Sequence, residues 1–363
     1  TIDVTLQGFV EEAIDNFMKE YENAYRTDDG AKTVACVMMD PRNGEILAMA
    51  SNRKYDLNQP YDLVANGILT EEEEVALDAE VAVYQEQLKT FLEEKEAVYD
   101  GLSEEEKKEM NKKQKELEEK ANQKYKLLND MWRNFCVSDT YEPGSTVKPM
   151  TVAAAMEAGL INETEGYYCD GSQVVVPGQK PIHCAKRSGH GMITLEGSLM
   201  FSCNDALMQI AAKMGYNEFV RYQRLFNFGL RTGIDLPGES RTDTVVYYVG
   251  DDAPYENLKI GPAELATCSF GQGFNVSMIQ VASAFSSCIN GGYYYQPYTY
   301  YKVTNSQGTE ILLSNENPSE KAQRVLSEET SDIMCELLQT VDTSYYGTGS
   351  NVRKFQIMAK TGT

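Results

Sequence analysis

Three short strings in this 363-residue chain carry side chains able to do nucleophilic chemistry. Ser145-Thr146-Val147-Lys148 follows Tyr141-Glu142-Pro143-Gly144, a turn that delivers the chain into a predicted helix over 145–159. On a helix, positions i and i+3 share a face, so a hydroxyl and an amine at this spacing can meet. A serine hydroxyl is a poor nucleophile near neutral pH, and a lysine amine takes its proton only when burial or a second cation lowers the amine's pKa. Ser202-Cys203-Asn204 adds a hydroxyl and an amide just before a second predicted helix, 204–215. Lys360-Thr361-Gly362-Thr363 adds a cation, two hydroxyls and a glycine that lets a ligand approach the backbone of a predicted strand. The first tetrad alone is a weak signal, arising by chance about once in 300 residues. Ser51-Asn52-Arg53-Lys54 repeats it, but runs off a strand into Tyr55-Asp56-Leu57-Asn58-Gln59-Pro60, which cannot start a helix. The bland alternatives are helix N-caps for Ser145 and Ser202 and a solvated strand lysine for Lys360. A Lys-Thr-Gly-Ser/Thr string arises in about one chain in a hundred of this length, so all three strings in this order leave little room for coincidence.

The elements that must hold these strings in place read as a mixture of helices and hairpins. Leu6, Val10, Ala13, Ile14, Phe17, Met18 and Tyr21 recur at helical spacing. The apolar runs 33–39 and 45–50 flank Asp40-Pro41-Arg42-Asn43-Gly44 as a β-hairpin. Further helices are predicted over 277–290 and 328–341, strands over 293–303 and 310–313, and a last strand ending at Thr363. One α/β domain with its sheet packed against helices accounts for this order. The stretch 69–130 differs in kind. Nineteen acidic and ten basic residues fall between positions 70 and 130. Tyr84, Leu88, Phe91 and Leu92 form one apolar stripe, and Leu117, Ala121, Tyr125 and Leu128 another. Gly101 as a C-cap and Ser103 with Glu106 as a capping box join them into an inserted acidic helical hairpin, either a solvated feature or a docking arm.

Composition narrows the partners. Fifty-five acidic against thirty-three basic side chains give a formal charge of −22, which opposes phosphate-backbone binding, so nucleic acid is not an expected partner. No apolar run approaches the roughly 20 residues that span a bilayer, so any membrane anchor is expected outside these residues. Eight cysteines are scattered with no Cys-x-x-Cys pair. Cys169 and Cys184 flank a Gly- and Pro-containing loop, and the two histidines, His183 and His190, lie close by. A disulfide, a zinc site and free packed thiols all compete there.

In these residues the sequence resembles the penicillin-binding proteins, specifically the transpeptidase domain of the class B, monofunctional branch. The three strings carry the resemblance. So do Thr1-Ile2-Asp3 with Leu6-Gln7, Met39-Asp40-Pro41-Arg42-Asn43-Gly44-Glu45-Ile46-Leu47-Ala48-Met49, Gly189-His190-Gly191, Thr232-Gly233-Ile234-Asp235-Leu236-Pro237-Gly238-Glu239 and Phe270-Gly271-Gln272-Gly273-Phe274. Cys203 stands at a variable central position, and Ala359 where the family commonly has glycine. The resemblance implies an α/β fold of the α+β type shared with serine β-lactamases, a central antiparallel sheet flanked by helices. It implies a D,D-transpeptidase acting on peptidoglycan stem peptides outside the cytoplasmic membrane and acylated by β-lactams. A carboxypeptidase, a β-lactamase and a non-catalytic sensor or division scaffold are the alternatives. Ser145 is then the nucleophile, Lys148 its base, Lys360 the cation that depresses Lys148, Ser202 the proton relay, and Asn204 the ligand of Lys148 and substrate amide. The backbone N–H groups of Ser145 and Thr363 form an oxyanion site, and Thr361 and Thr363, beside Gly362, meet the substrate carboxylate. No cofactor and no metal are assigned to this site. A glycosyltransferase or division or elongation proteins are the expected partners. In the family further strands and a helix follow Lys-Thr-Gly. The domain is therefore expected to be C-terminally incomplete, and these 363 residues alone to fold poorly or acylate slowly.

Overall fold

The structure is a computed structural model and describes residues 2–24, 31–242, 260–343 and 357–362. Two compact bodies emerge, one made of Thr1–Ala50 with Cys136–Thr363, the other of Ser51–Phe135.

The first body begins with helix α1, Val4–Glu20, whose N-cap Asp3 accepts the Thr5 and Leu6 N–H groups. Its inner residues Val10 and Ile14 pack on Ala48 of strand β2, Ile46–Ser51, which pairs with β1, Ala35–Met39. Gln7 fastens the helix to the strand, accepting from Met49 N at 2.9 Å and donating to Met49 O at 3.0 Å. Gly44 turns the hairpin at φ +86°, where a Cβ would meet Gln296 O at 2.7 Å. A non-glycine residue would be both strained and obstructed there.

In the Ser51–Phe135 body, helices α2, Glu71–Val98, α3, Glu104–Ala121, and α4, Gln123–Trp132, are each started by a polar residue. Thr70 with Glu73 and Ser103 with Glu106 both close capping boxes. The apolar stripes differ from the sequence expectation. Leu77, Val81 and Phe91 are buried on α2, whereas Leu92 is 40% exposed and Tyr125 62% exposed. Leu63, Leu128 and Met131 gather in a small core of their own, with Trp132 donating to Pro60 O at 2.5 Å. Gly101 is no left-handed cap: it ends a 3₁₀ turn, 99–101, that prolongs α2.

The chain re-enters the first body at Cys136 within α5, Phe135–Ser138, which leads to a 3₁₀ turn, Gly144–Val147, and α6, Lys148–Glu157. Residues 148 to 155 of α6 are buried on every side, which makes it the central helix of the core. Strand β3, Gly166–Cys169, pairs antiparallel with β6, Gly191–Thr194, and β4, Ser172–Gln173, with β5, Ile182–His183. Helices α7, Leu195–Met200, α8, Asn204–Leu225, α9, Pro262–Cys268, α10, Met278–Ile289, and α11, Glu328–Thr343, surround α6 with Leu199, Leu207, Leu265, Ala284 and Leu338. α8 runs past its predicted end, but Gly215 at φ +68° breaks its helical geometry where the sequence places the stop.

The predicted strand 293–303 is two pieces, β7, Tyr293–Tyr294, and β8, Lys302–Thr304, because Pro297 interrupts it and Asp235 takes the Thr299 and Tyr300 N–H groups. β8 pairs with β9, Ile311–Ser314, and β7 with β10, Gln323–Arg324. Residues 357–362 form no strand. A strand needs a ladder partner, and here Ala359 N instead reaches Leu338 O of α11 at 3.4 Å. The expected last strand thus fails over its described part, and Thr363 lies outside the described residues.

Candidate active site

Ser145 and Lys148 stand at either end of the turn that opens α6. The local structure differs from the expected continuous α-helix. In a 3₁₀ turn residues i and i+3 eclipse, so the two side chains are stacked more directly than α-geometry would place them. The turn is held from behind by the Phe270–Phe274 segment. Gly144 N donates to Gly271 O at 2.9 Å, Tyr141 and Val276 exchange two backbone bonds at 3.0 and 2.9 Å, and Gly273 N donates to Glu142 Oε1 at 2.8 Å. Gly271 has φ +89°, and a Cβ on it would sit 2.0 Å from Gly144 O. Only glycine permits this approach.

The Lys148 side chain is completely buried. Its Nζ donates to Ser202 O at 2.6 Å and Asn204 Oδ1 at 2.7 Å, and lies 3.0 Å from Ser202 Oγ. Lys360 Nζ reaches the same Oγ at 3.0 Å and Thr361 O at 3.0 Å. One hydroxyl therefore bridges two amines. Burial, and then the Lys360 charge, draw Lys148 down to about 7, with Cys203 and Cys184 pulling weakly the other way. Burial draws Lys360 down to about 8. Gly362 comes so close to the serine turn that a Cβ would touch Thr146 Cγ2 at 3.1 Å.

Five of the residues singled out in the sequence, Lys148, Ser202, Asn204, Lys360 and Thr361, thus form one connected set, with Ser145 one turn from Lys148 and Gly362 against that turn. Thr363 lies outside the described residues. The second Ser-x-x-Lys string is not helical; Ser51 Oγ instead accepts the Arg53 N–H at 3.2 Å. Ser202 and Asn204 are placed by the junction of α7 and α8. Ser202 sits at φ +50°, and Cys203 caps α8, its Sγ accepting Ala206 N at 3.4 Å.

Cys203 was passed over in the sequence as a variable position, and its surroundings revise the expectation for Cys169 and Cys184. Those two are free thiols, not a disulfide. Cys169, Cys184, Cys203 and His190 converge, their ligand atoms all within 4.8 Å of one another. His183 is elsewhere: it is exposed, and its carbonyl accepts Asn204 Nδ2 at 3.4 Å. The missed signal is that Cys203 lies between two site residues, in a segment the site already fixes.

Residues 101–363 match the family described as the penicillin-binding protein transpeptidase domain, and the chain belongs to that family. Among curated relatives, Stage V sporulation protein D of Bacillus subtilis is 36% identical over 231 residues, 64% of this chain and 34% of that protein. Peptidoglycan D,D-transpeptidase MrdA of Acinetobacter baumannii is 28% identical over 63% of this chain and 34% of its own. The chain thus spans about a third of the length of these relatives. The same fold is seen in the transpeptidase domain of Burkholderia pseudomallei penicillin-binding protein 3, with TM-score 0.62 and 19% identity over 99% of this chain and 76% of that one. It is seen again in penicillin-binding protein 3 of Mycobacterium tuberculosis complexed with aztreonam, with TM-score 0.64 and 21% identity over 96% of this chain and 59% of that one.

Proposed function

We propose that the chain is the catalytic domain of a serine D,D-transpeptidase that crosslinks peptidoglycan stem peptides and is acylated by β-lactams. The observation that carries this reading is the Ser202 hydroxyl 3.0 Å from the amines of both Lys148 and Lys360, with Lys148 one turn from Ser145. Near neutral pH a substantial fraction of Lys148 is neutral and able to accept a proton. In the first step the Ser145 Oγ–H gives its proton to Lys148 Nζ while Oγ bonds to the carbonyl carbon of the penultimate D-alanine. The resulting oxyanion is met by backbone N–H groups, that of Ser145 among them, each such donor typically worth about 3 kcal/mol. Collapse of this intermediate breaks the C–N bond, and the proton passes from Lys148 through the Ser202 hydroxyl to the leaving amine of the terminal D-alanine. An amine of a second stem peptide then attacks the ester, and the same relay runs in reverse. Thr361 and Lys360 suit the substrate's terminal carboxylate, and Asn204 its amide.

The name of one relative, a peptidoglycan D,D-transpeptidase, supports transfer over hydrolysis. Its substrate places such a domain on the outer face of the cytoplasmic membrane, working with a glycosyltransferase or with division or elongation proteins. No helix among the described residues is long and apolar enough to cross a membrane. The test is to give the full-length protein a stem pentapeptide and an acceptor amine and follow D-alanine release and crosslinked product. Equimolar release and crosslink support the reading. Release without crosslink means a carboxypeptidase, and no release with fast penicillin turnover means a β-lactamase.

A further inference from the structure

Cys169 closes β3, Cys184 follows β5, His190 lies in the turn before β6, and Cys203 caps α8. Four separate pieces of chain thus aim one donor each at a common point. Cys169 Sγ lies 3.5 Å from His190 Nδ1, Cys184 Sγ 3.7 Å from the same nitrogen, and Cys184 Sγ 3.9 Å from Cys203 Sγ. A zinc ion with Zn–S of about 2.3 Å and Zn–N of about 2.05 Å in a tetrahedron sets its ligand atoms about 3.8 Å apart for two sulfurs and about 3.6 Å for sulfur and nitrogen. A disulfide would need about 2.05 Å. The three short spacings match a metal's edges, and all four ligand atoms lie within 4.8 Å of one another.

The backbone is shaped to bring these donors together. Gly189 at φ +75° would put a Cβ 2.3 Å from Cys169 O, and Gly171 at φ +100° would put one 2.2 Å from Arg187 O. Both glycines let the loop that carries Cys184 and His190 close on the end of β3. The His190 ring stacks on Phe201 at 5.5 Å and 15°, which fixes the plane in which Nδ1 points. All three cysteines are at most 1% exposed, so the site is closed to solvent on the sulfur side. Among the described residues no other such group of three or more potential ligands is found.

We propose that Cys169, Cys184, Cys203 and His190 bind one zinc ion, and that the ion acts as a positioning element for the active site. Three thiolates and an imidazole in a tetrahedron suit zinc over harder cations. Cys203 is the residue between Ser202 and Asn204, so a metal–sulfur bond pins the segment that carries both Lys148 partners. That segment needs pinning, since Ser202 holds a left-handed conformation that a non-glycine residue leaves readily when unsupported. This second part rests on the proposed acyl transfer at Ser145; the zinc site itself does not.

The test begins with full-length protein purified from zinc-supplemented cells, assayed by plasma mass spectrometry, and with metal-free protein titrated with cobalt(II). One zinc per chain, and cobalt spectra with thiolate charge-transfer and tetrahedral d–d bands, are expected. Cys169→Ser and Cys203→Ser bring metal content to background, while Cys268→Ser and Cys288→Ser leave it unchanged. Zinc-free protein that also gives no thiolate–cobalt band, or a Cys184–Cys203 disulfide in the native protein, overturns the site. For the positioning role, zinc is removed by chelation and penicillin acylation is timed. A loss of about tenfold, restored by zinc, supports it. An unchanged acylation rate in verified metal-free, folded protein refutes the positioning role and leaves the site standing.

Discussion

Ser202 Oγ stands between two lysine amines, and that geometry sets a pH dependence. Lys148 must be neutral to take a proton, and its pKa lies near 7, so acylation should rise as pH passes up through that value. It should fall again above about 8 as Lys360 loses its charge. Lys360 is one of the two causes that hold Lys148 down. Removing that charge lets the Lys148 pKa rise, so Lys360→Ala should move the acid limb of the acylation profile to higher pH as well as lower the rate. A limb that stays in place, or moves down, would separate the two lysines. The sequence strings singled out Ser145, Lys148, Ser202, Asn204 and Lys360 by residue type and order, and the fold gathers Lys148, Asn204 and Lys360 around Ser202. Of the proposed metal ligands, Cys169, Cys184 and His190 stand close enough in sequence for a zinc site to be weighed there, whereas Cys203 joins them only through folding.

At the scale of elements, the sequence conveyed most helices and misjudged their edges. Position 145 reads as helix by pattern, yet Gly144–Val147 is a 3₁₀ turn, since the Gly271 contact behind Gly144 forces a tighter start than periodicity can register. The strand expected over 293–303 was broken by Pro297 and by the Asp235 carboxylate, a partner far off in sequence. The motif Thr232 to Glu239 has a structural explanation visible only here. Glu239 accepts from the Thr232 and Gly233 N–H groups and closes its own loop, leaving Asp235 to cap Thr299 and Tyr300. Two glycines provide a matched test. Gly271→Ala adds a Cβ 2.0 Å from Gly144 O and should cost at least about 3 kcal/mol of stability together with penicillin acylation. Gly215→Ala also has a positive φ, with ψ at 178° in a region held almost only by glycine, but nothing lies within 4 Å, and it should cost about 2 kcal/mol from backbone conformation alone. Equal shifts in urea midpoint would mean that the buttress behind Ser145 contributes nothing beyond its backbone conformation.

Over the whole molecule, the chain leaves the first body at Ala50 and re-enters it at Cys136. Cys136 Sγ lies 3.8 Å from Ala50 O and 3.9 Å from Cys36 O, so the two ends of the excursion are adjacent. The intervening residues form their own small core around Leu63, Leu128 and Met131. They also carry much of the net negative charge of the chain. We propose that this insert does not take part in the chemistry at Ser145. Replacing residues 52–135 with a short Gly-Ser linker in the full-length protein should leave penicillin acylation within about threefold of the parent, since the insert packs around a core of its own. Loss of acylation in a folded variant would assign the insert to the support of the site.

The proposed acylation of Ser145 is tested by intact-mass measurement with peptide mapping after incubation with a labelled penicillin. Full-length protein should gain one long-lived adduct, located on the peptide that carries Ser145. Ser145→Ala should show none, while Ser51→Ala labels as the parent does. An adduct that persists in Ser145→Ala, or that maps to any other residue, would contradict the account.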